Sequence, residues 1–359
     1  MRPQPLLDVL GGGWSLGVPV VAADWDADLA GFALRDGSVV LARAEWEGGP
    51  VLAARPAGGL ELRPGEPPPP LAREAARPDG CLTLRASQGH GFLCGGGSGI
   101  LARVGTDLNQ TTAEPPAAKA EHFAIAAGGR PATALGNRVE ISDAPGFDVP
   151  ARVVALLFDP AGKRLAVADE AGVTLWSAED RCRLETSARP CALAWMSDGT
   201  HLACGLENGA ARLWRLDRGD SPAAMTLDGD GAAVRSLAFS PDGRYLAASG
   251  GARVLCWDLN TPGGPPTPCG ITARVPIAVV AWHPSRAMIA AGTGNGAVML
   301  TEPAGRDALH VRGEGGGAVS VLAWSADGGR LAIGTDGGDL GVLPLPDALF
   351  RPKTQEMPQ

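Results

Sequence analysis

Residues 234–259 read V-R-S-L-A-F-S-P-D-G-R-Y-L-A-A-S-G-G-A-R-V-L-C-W-D-L. Three apolar runs lie in this stretch, 234–239, 245–248 and 253–259, each with the alternation or β-branching of a strand. Turn chemistry divides them. In Ser240-Pro241-Asp242-Gly243 the proline presets φ, the aspartate bonds its own backbone and the glycine accepts positive φ. Gly250-Gly251 marks the second turn. With Phe239 as position zero, Leu237 stands at minus two and Leu246 at plus seven.

The same comb fits seven more times, with zeros at Trp25, Ala86, Ile125, Phe158, Trp195, Trp282 and Trp324. Their plus-seven residues are Phe32, Leu93, Ala132, Leu165, Leu202, Ile289 and Leu331, and the minus-two column is as apolar. Such columns belong to strands buried on both faces. The turn after zero recurs at Asp159-Pro160-Ala161-Gly162, Ser197-Asp198-Gly199 and Ser325-Ala326-Asp327-Gly328, with His283-Pro284-Ser285 as a further version. Third strands close on Trp176, Trp214 and Trp257, while Met299-Leu300 and Val342-Leu343 hold that place in the last two units.

A tight turn, short strands and a closing Trp257-Asp258 together resemble the WD40 repeat. The resemblance implies an all-β propeller with four-stranded antiparallel blades. Spacings between zeros are 61, 39, 33, 37, 44, 43 and 42 residues, against about 40 to 45 for such a unit. Eight blades are expected, with seven as the alternative and the 33-residue unit as a candidate for a reduced blade. The units fall near 18–46, 80–104, 120–143, 151–180, 188–217, 232–259, 275–303 and 317–345, so residues 1–350 read as one domain. Trp25-Asp26 lies at a first turn and is not the signature dipeptide. The family's polar network is mostly absent: Gly89-His90 is in the wrong turn, and the turn aspartate survives only as Asp36, Asp169 or Asp336. The likeness is therefore to degenerate, stand-alone WD40-like proteins of the prokaryotic kind.

Between the first two units, 63–80 holds Pro67-Pro68-Pro69-Pro70. A proline run cannot pair inside a sheet, so this segment reads as a surface insert. Two segments are left over at the ends, residues 5–19, which include Leu6, Leu7, Val9 and Leu10, and Leu343 to Phe350. One of them is expected to supply the strand that closes the ring. The polar tail 351–359 reads as disordered.

The net charge of −8 and the absence of a basic run argue against nucleic acid or an anionic membrane surface as partner. No apolar run is long enough to span a bilayer, and Asp8 with the glycines behind it breaks any leader-like stretch. The seven cysteines have no C-x-x-C spacing and fall mostly on strands, as small buried apolar residues in a reducing compartment would. A cytoplasmic, monomeric protein is expected.

Catalytic motifs fail their tests. Gly95-Gly96-Gly97-Ser98-Gly99 has neither the lysine nor the following helix of a phosphate loop. Asp228-Gly229-Asp230-Gly231 lacks the remaining ligands of a calcium loop. The five histidines show no metal spacing. No catalytic residue, cofactor or metal is expected, and the chain reads as a non-catalytic scaffold for a protein partner. The alternative is a propeller enzyme or a metal-handling accessory protein with its site in the central channel. The face carrying the leads into first strands and the turns between second and third strands holds the candidate partner-binding residues Arg152, Arg189, Arg235, Arg274, Asp169, Glu170, Glu207 and Asp336, with Asp36 beside them.

Overall fold

In a computed structural model, described over residues 4–55, 59–69, 71–75, 79–99, 101–106, 110–113, 119–217, 222–261 and 263–350, the chain forms eight four-stranded antiparallel sheets. Each sheet is a blade, and in all but the last the strands run in chain order from the axis outward. Blade four is representative: Val153–Phe158, Leu165–Asp169, Gly172–Trp176 and Arg181–Leu184. First strands touch the first strands of both neighbours all the way round, so the blades close a ring. The third unit is a full blade. His122–Ile125, Pro131–Leu135, Arg138–Ile141 and Ala144–Asp148 fit its short spacing because both strands and turns are minimal. The tail 351–359 lies outside the described residues.

The core is divided into eight apolar clusters among the described residues, and each joins two adjacent blades. Leu165, Leu202, Leu246, Ile289 and Leu331 pair with their own zero residues and face the preceding blade. Phe32 does so too, although the first turn is two residues shorter and pairs it with Ala23. In units two and three the turn is one residue shorter. Ala86 therefore pairs with Phe92, and Ile125 with Pro131. A one-residue slip turns a side chain to the opposite face, so Leu93 and Ala132 pack against the following blade and Phe92 takes the expected place. In blade seven the residue opposite Ile289 is Thr301, not Leu300.

Tryptophans at position zero tie blades together. The indole N–H of Trp195 donates to Leu157 O at 3.1 Å, Trp282 to Ala238 O at 2.8 Å, Trp324 to Ala281 O at 3.2 Å and Trp25 to Ala323 O at 2.9 Å. Each acceptor is the residue before zero on the preceding first strand, and the Trp25 bond joins the first blade to the last. Asp26 reaches the other way. Its carboxylate accepts the N–H groups of Gly89 and Gly91 in blade two, while Asp24 accepts that of Ala86. The Trp25-Asp26 dipeptide thus bridges blades eight, one and two.

Closure comes from the N-terminal segment 5–19, through the residues behind its apolar run. Leu6–Leu10 is a short helix whose Leu7 and Leu10 enter the cluster between blades seven and eight. The strand behind it, Gly12–Ser15, pairs with Asp339–Pro344 in the register Trp14↔Leu340 and becomes the outer strand of blade eight. Glycines in a row kept this stretch from reading as a strand. Leu343 belongs to the third strand of that blade, and Asp347–Phe350 is a 3-10 turn.

The segment 63–80 is more than a connector. Ala72–Ala75 within it is the fourth strand of blade one, and Val51–Ala54 with Leu60–Arg63 forms an added hairpin on the underside. Gln110–Ala113 and Thr267–Cys269 likewise are the fourth strands of blades two and six.

Replacing Trp25 by Phe keeps the ring and removes one inter-blade hydrogen bond, so denaturant unfolding should show a loss of about 1 kcal/mol. Deleting residues 1–15 strips blade eight of its outer strand and should lower the melting temperature by more than Trp25→Phe does. An unchanged melt would mean that the N-terminal strand does not close the ring.

Candidate site on the upper face

Six blades share one backbone bond on the face carrying first-strand leads and second-to-third turns, termed here the upper face. Arg35 N–H donates to Pro19 O, Gly97 to Gly80, Glu170 to Arg152, Glu207 to Arg189, Gly294 to Pro276 and Asp336 to Ala318. These bonds sew leads and turns into one rim, so the two sets of loops picked from sequence do lie side by side.

The structure sorts the candidate residues into three groups. Arg152 and Arg189 form ion pairs across blade boundaries, Arg152 Nη2 to Glu121 Oε1 at 3.0 Å and Arg189 Nη2 to Glu170 Oε1 at 2.9 Å. All four side chains are well exposed, a setting in which an ion pair adds little stability but orders the rim. Arg235, Arg274, Glu207 and Asp336 are exposed and make no ion pair among the described residues. Asp169 is the correction. Its side chain is fully buried, and Arg183 of the fourth strand grips it through two nitrogens at 2.5 and 2.9 Å. A buried, doubly satisfied carboxylate cannot meet a partner. The Cβ direction at a strand end, which decides this, is invisible in composition.

Arg183 and Glu121 escaped the sequence reading. Arg183 also donates to the Thr174 hydroxyl at 3.0 Å, so an outer-strand arginine satisfies the turn aspartate that the missing histidine network would otherwise hold. Blade one repeats this with Arg73, which bonds Asp36 at 2.5 Å and the Ser38 hydroxyl at 3.0 Å. An arginine thirteen or fourteen residues past a turn aspartate with strand sequence around it was the available signal only for Asp169, since the insert separates Asp36 from Arg73.

On the underside, the residue after zero accepts backbone hydrogen bonds in the first turn. Ser240 Oγ receives Tyr245 N–H at 2.8 Å, Ser325 Oγ receives Arg330 N–H at 3.0 Å and Asp159 Oδ1 receives Lys163 N–H at 2.7 Å. His283 does the same through Nδ1 toward Ser285 and Arg286 at 3.1 and 3.0 Å. Burial pushes its pKa down, so it acts as a neutral acceptor. The serine hydroxyls donate onward to Asp242 and Asp327 and hold both carboxyls below the usual range. In the glycine run, Gly95 and Gly96 end the second strand of blade two, and Gly95 lies under the Phe123 ring of blade three. Asp230 caps its own turn by accepting Ala232 N–H at 3.0 Å, and Asp228 O accepts the Trp257 indole N–H at 2.9 Å. Among the described residues no three His, Cys, Asp or Glu side chains gather as metal ligands.

Comparison with known proteins agrees with this architecture. A family profile, "WD domain, G-beta repeat", matches residues 223–258. The chain is similar to the WD repeat-containing protein SL1-17 of Schistosoma mansoni, 32% identical over 117 residues that make up 31% of this chain and 38% of the relative. The match thus spans well under half of that protein's length. Among solved structures, the computationally designed Ika8 protein superposes with a TM-score of 0.66 at 14% identity, covering 92% of this chain and 97% of Ika8. Sqt1 from Chaetomium thermophilum gives 0.66 at 14%, covering 93% and 98%. The Dos1 propeller gives 0.64 at 12%, covering 93% and 94%.

Replacing Asp169 by Ala leaves Arg183 without its buried partner and should cost about 3 to 5 kcal/mol in chemical denaturation, whereas Glu170→Ala should change stability by well under about 1 kcal/mol. A carboxyl held below its ordinary value of 3.8 contributes stability at neutral pH and loses it as pH falls through the folded value. Asp242→Asn with Asp327→Asn should therefore lower stability at pH 7 and flatten the acid limb of a stability-versus-pH curve below about pH 4. A limb as steep as that of the parent chain would contradict the assignment.

Proposed function

The chain is a WD40-repeat β-propeller with eight four-stranded blades, and we propose that it is a non-catalytic interaction module presenting its upper face to a protein partner. Propellers of this kind commonly serve as protein-interaction scaffolds and are generally not enzymes. The observation that carries the reading is the division of charge on the rim. Arg152 and Arg189, leading into blades four and five, are neutralised by acids of the preceding blade, whereas Arg235 and Arg274 on blades six and seven stand exposed and, among the described residues, without an acidic neighbour in ion-pair range. The backbone that carries them is hydrogen-bonded, Arg235 N–H to Ser249 O and Ala273 N–H to Ala252 O, so little backbone entropy is lost on docking. Acidic side chains of the partner are the natural complement, with Glu207 and Asp336 selecting against a uniformly acidic one.

The net charge of −8 favours a protein over nucleic acid. No helix among the described residues is long and apolar enough to cross a membrane. The ring closes within a single chain, which suits action as a monomer, and seven cysteines outside any disulfide suit the cytoplasm.

Affinity capture from the native host with the parent chain and with Arg235→Glu plus Arg274→Glu tests this reading. At least a tenfold loss of the captured protein is expected, with an unchanged melting curve. Capture at the parent level by the folded double variant would refute the site.

A further inference from the structure

Six of the seven cysteines fall into three sets separated by thirteen residues, Cys81 and Cys94, Cys191 and Cys204, and Cys256 and Cys269. Each set spans two adjacent antiparallel strands of one blade. In blade two the register is Leu84↔Cys94 and Cys81↔Gly96, with a bulge between residues 81 and 83. The bulge offsets Cys81 by one residue and brings it diagonally onto Cys94, on the face turned toward blade one. Their sulfurs lie 2.8 Å apart, within an ångström of the disulfide bond length of about 2.05 Å. The surroundings are apolar: Phe92, Leu84, Val39 and Leu41 share the cluster. Cys81 also sits one residue beyond Gly80, whose carbonyl takes the Gly97 N–H that sews this part of the upper rim.

The other two sets are held differently. Cys269 Sγ accepts the Ala304 N–H at 3.3 Å, and its hydrogen bond with Cys256 holds the Cys269 thiol below its usual value. In blade five Cys191 Sγ turns to Arg189 O at 3.7 Å and Cys204 Sγ to Gly205 O at 3.6 Å. The sulfur–sulfur contact singles out the blade-two pair.

We propose that Cys81 and Cys94 are an oxidative modification site at which hydrogen peroxide joins them in a disulfide within blade two. One thiolate sulfur attacks the peroxide; the O–O bond breaks, water leaves and a sulfenic acid remains. The second sulfur then attacks the first, its thiol proton leaves with the hydroxyl as a second water, and the S–S bond forms. Two thiols are oxidised by two electrons and one peroxide is reduced. The bond fixes the lead into blade two against its second strand, and so fastens that sector of the upper face covalently.

The full chain, treated with hydrogen peroxide, then unfolded, alkylated and digested without reductant, gives the test by mass spectrometry. The expected product is a peptide pair linked through Cys81 and Cys94, two hydrogens lighter than the sum of its parts and released by reductant, with the remaining five cysteines alkylated. In Cys94→Ser, Cys81 should stop at the sulfenic acid and be trapped by dimedone. Recovery of both cysteines as alkylated thiols in the parent chain, or a link through any other set, overturns the proposal.

Discussion

A blade of this protein has no core of its own. It is a single pleated layer with apolar side chains on both faces, and a lone layer of four short strands buries too little to be stable. Stability therefore resides between layers. Every apolar cluster among the described residues straddles two blades, and the last of these interfaces exists only because blade eight meets blade one. Second-strand glycines let that contact tighten. A side chain at Gly334 would strike Val20, and one at Gly292 would strike Val319, so the next first strand lies directly against the backbone. Indole hydrogen bonds from position zero then set how far each layer slides along its neighbour.

That arrangement explains how the chain tolerates a worn repeat signature. The network that normally satisfies the turn aspartate has been replaced locally, by Arg183 at Asp169 and by Arg73 at Asp36. Each solution is confined to one blade, as a nearest-neighbour architecture permits. The function-bearing surface inherits the same logic, because its loops are sewn by backbone bonds that any side chain can make. Residues on the rim are then free to differ from blade to blade, and the exposed Arg235 and Arg274 are such differences.

The fold was legible because apolar columns and the turn after position zero recur from blade to blade and survive loss of the signature tryptophan. What escaped was whatever depends on counting across turns or on direction. The shorter turns after Ala86 and Ile125 reversed the facing of Leu93 and Ala132. Glycines hid the closing strand at Gly12–Ser15, whose partner lies more than three hundred residues away. The upper rim was located correctly from the order of turns, yet Asp169 was misplaced on it because a strand-end side chain can point inward. The thirteen-residue cysteine spacing was visible, but it acquires meaning only with the strand register.

Native-state hydrogen exchange most directly tests whether the ring stands as one unit. Amides of the second strands, such as those of Val167, Ala203, Ala290 and Ala332, are buried in different blades; if every layer depends on both neighbours, they should exchange with one common opening free energy equal to that of global unfolding. A graded series, with blades opening independently at separate free energies, would contradict the account.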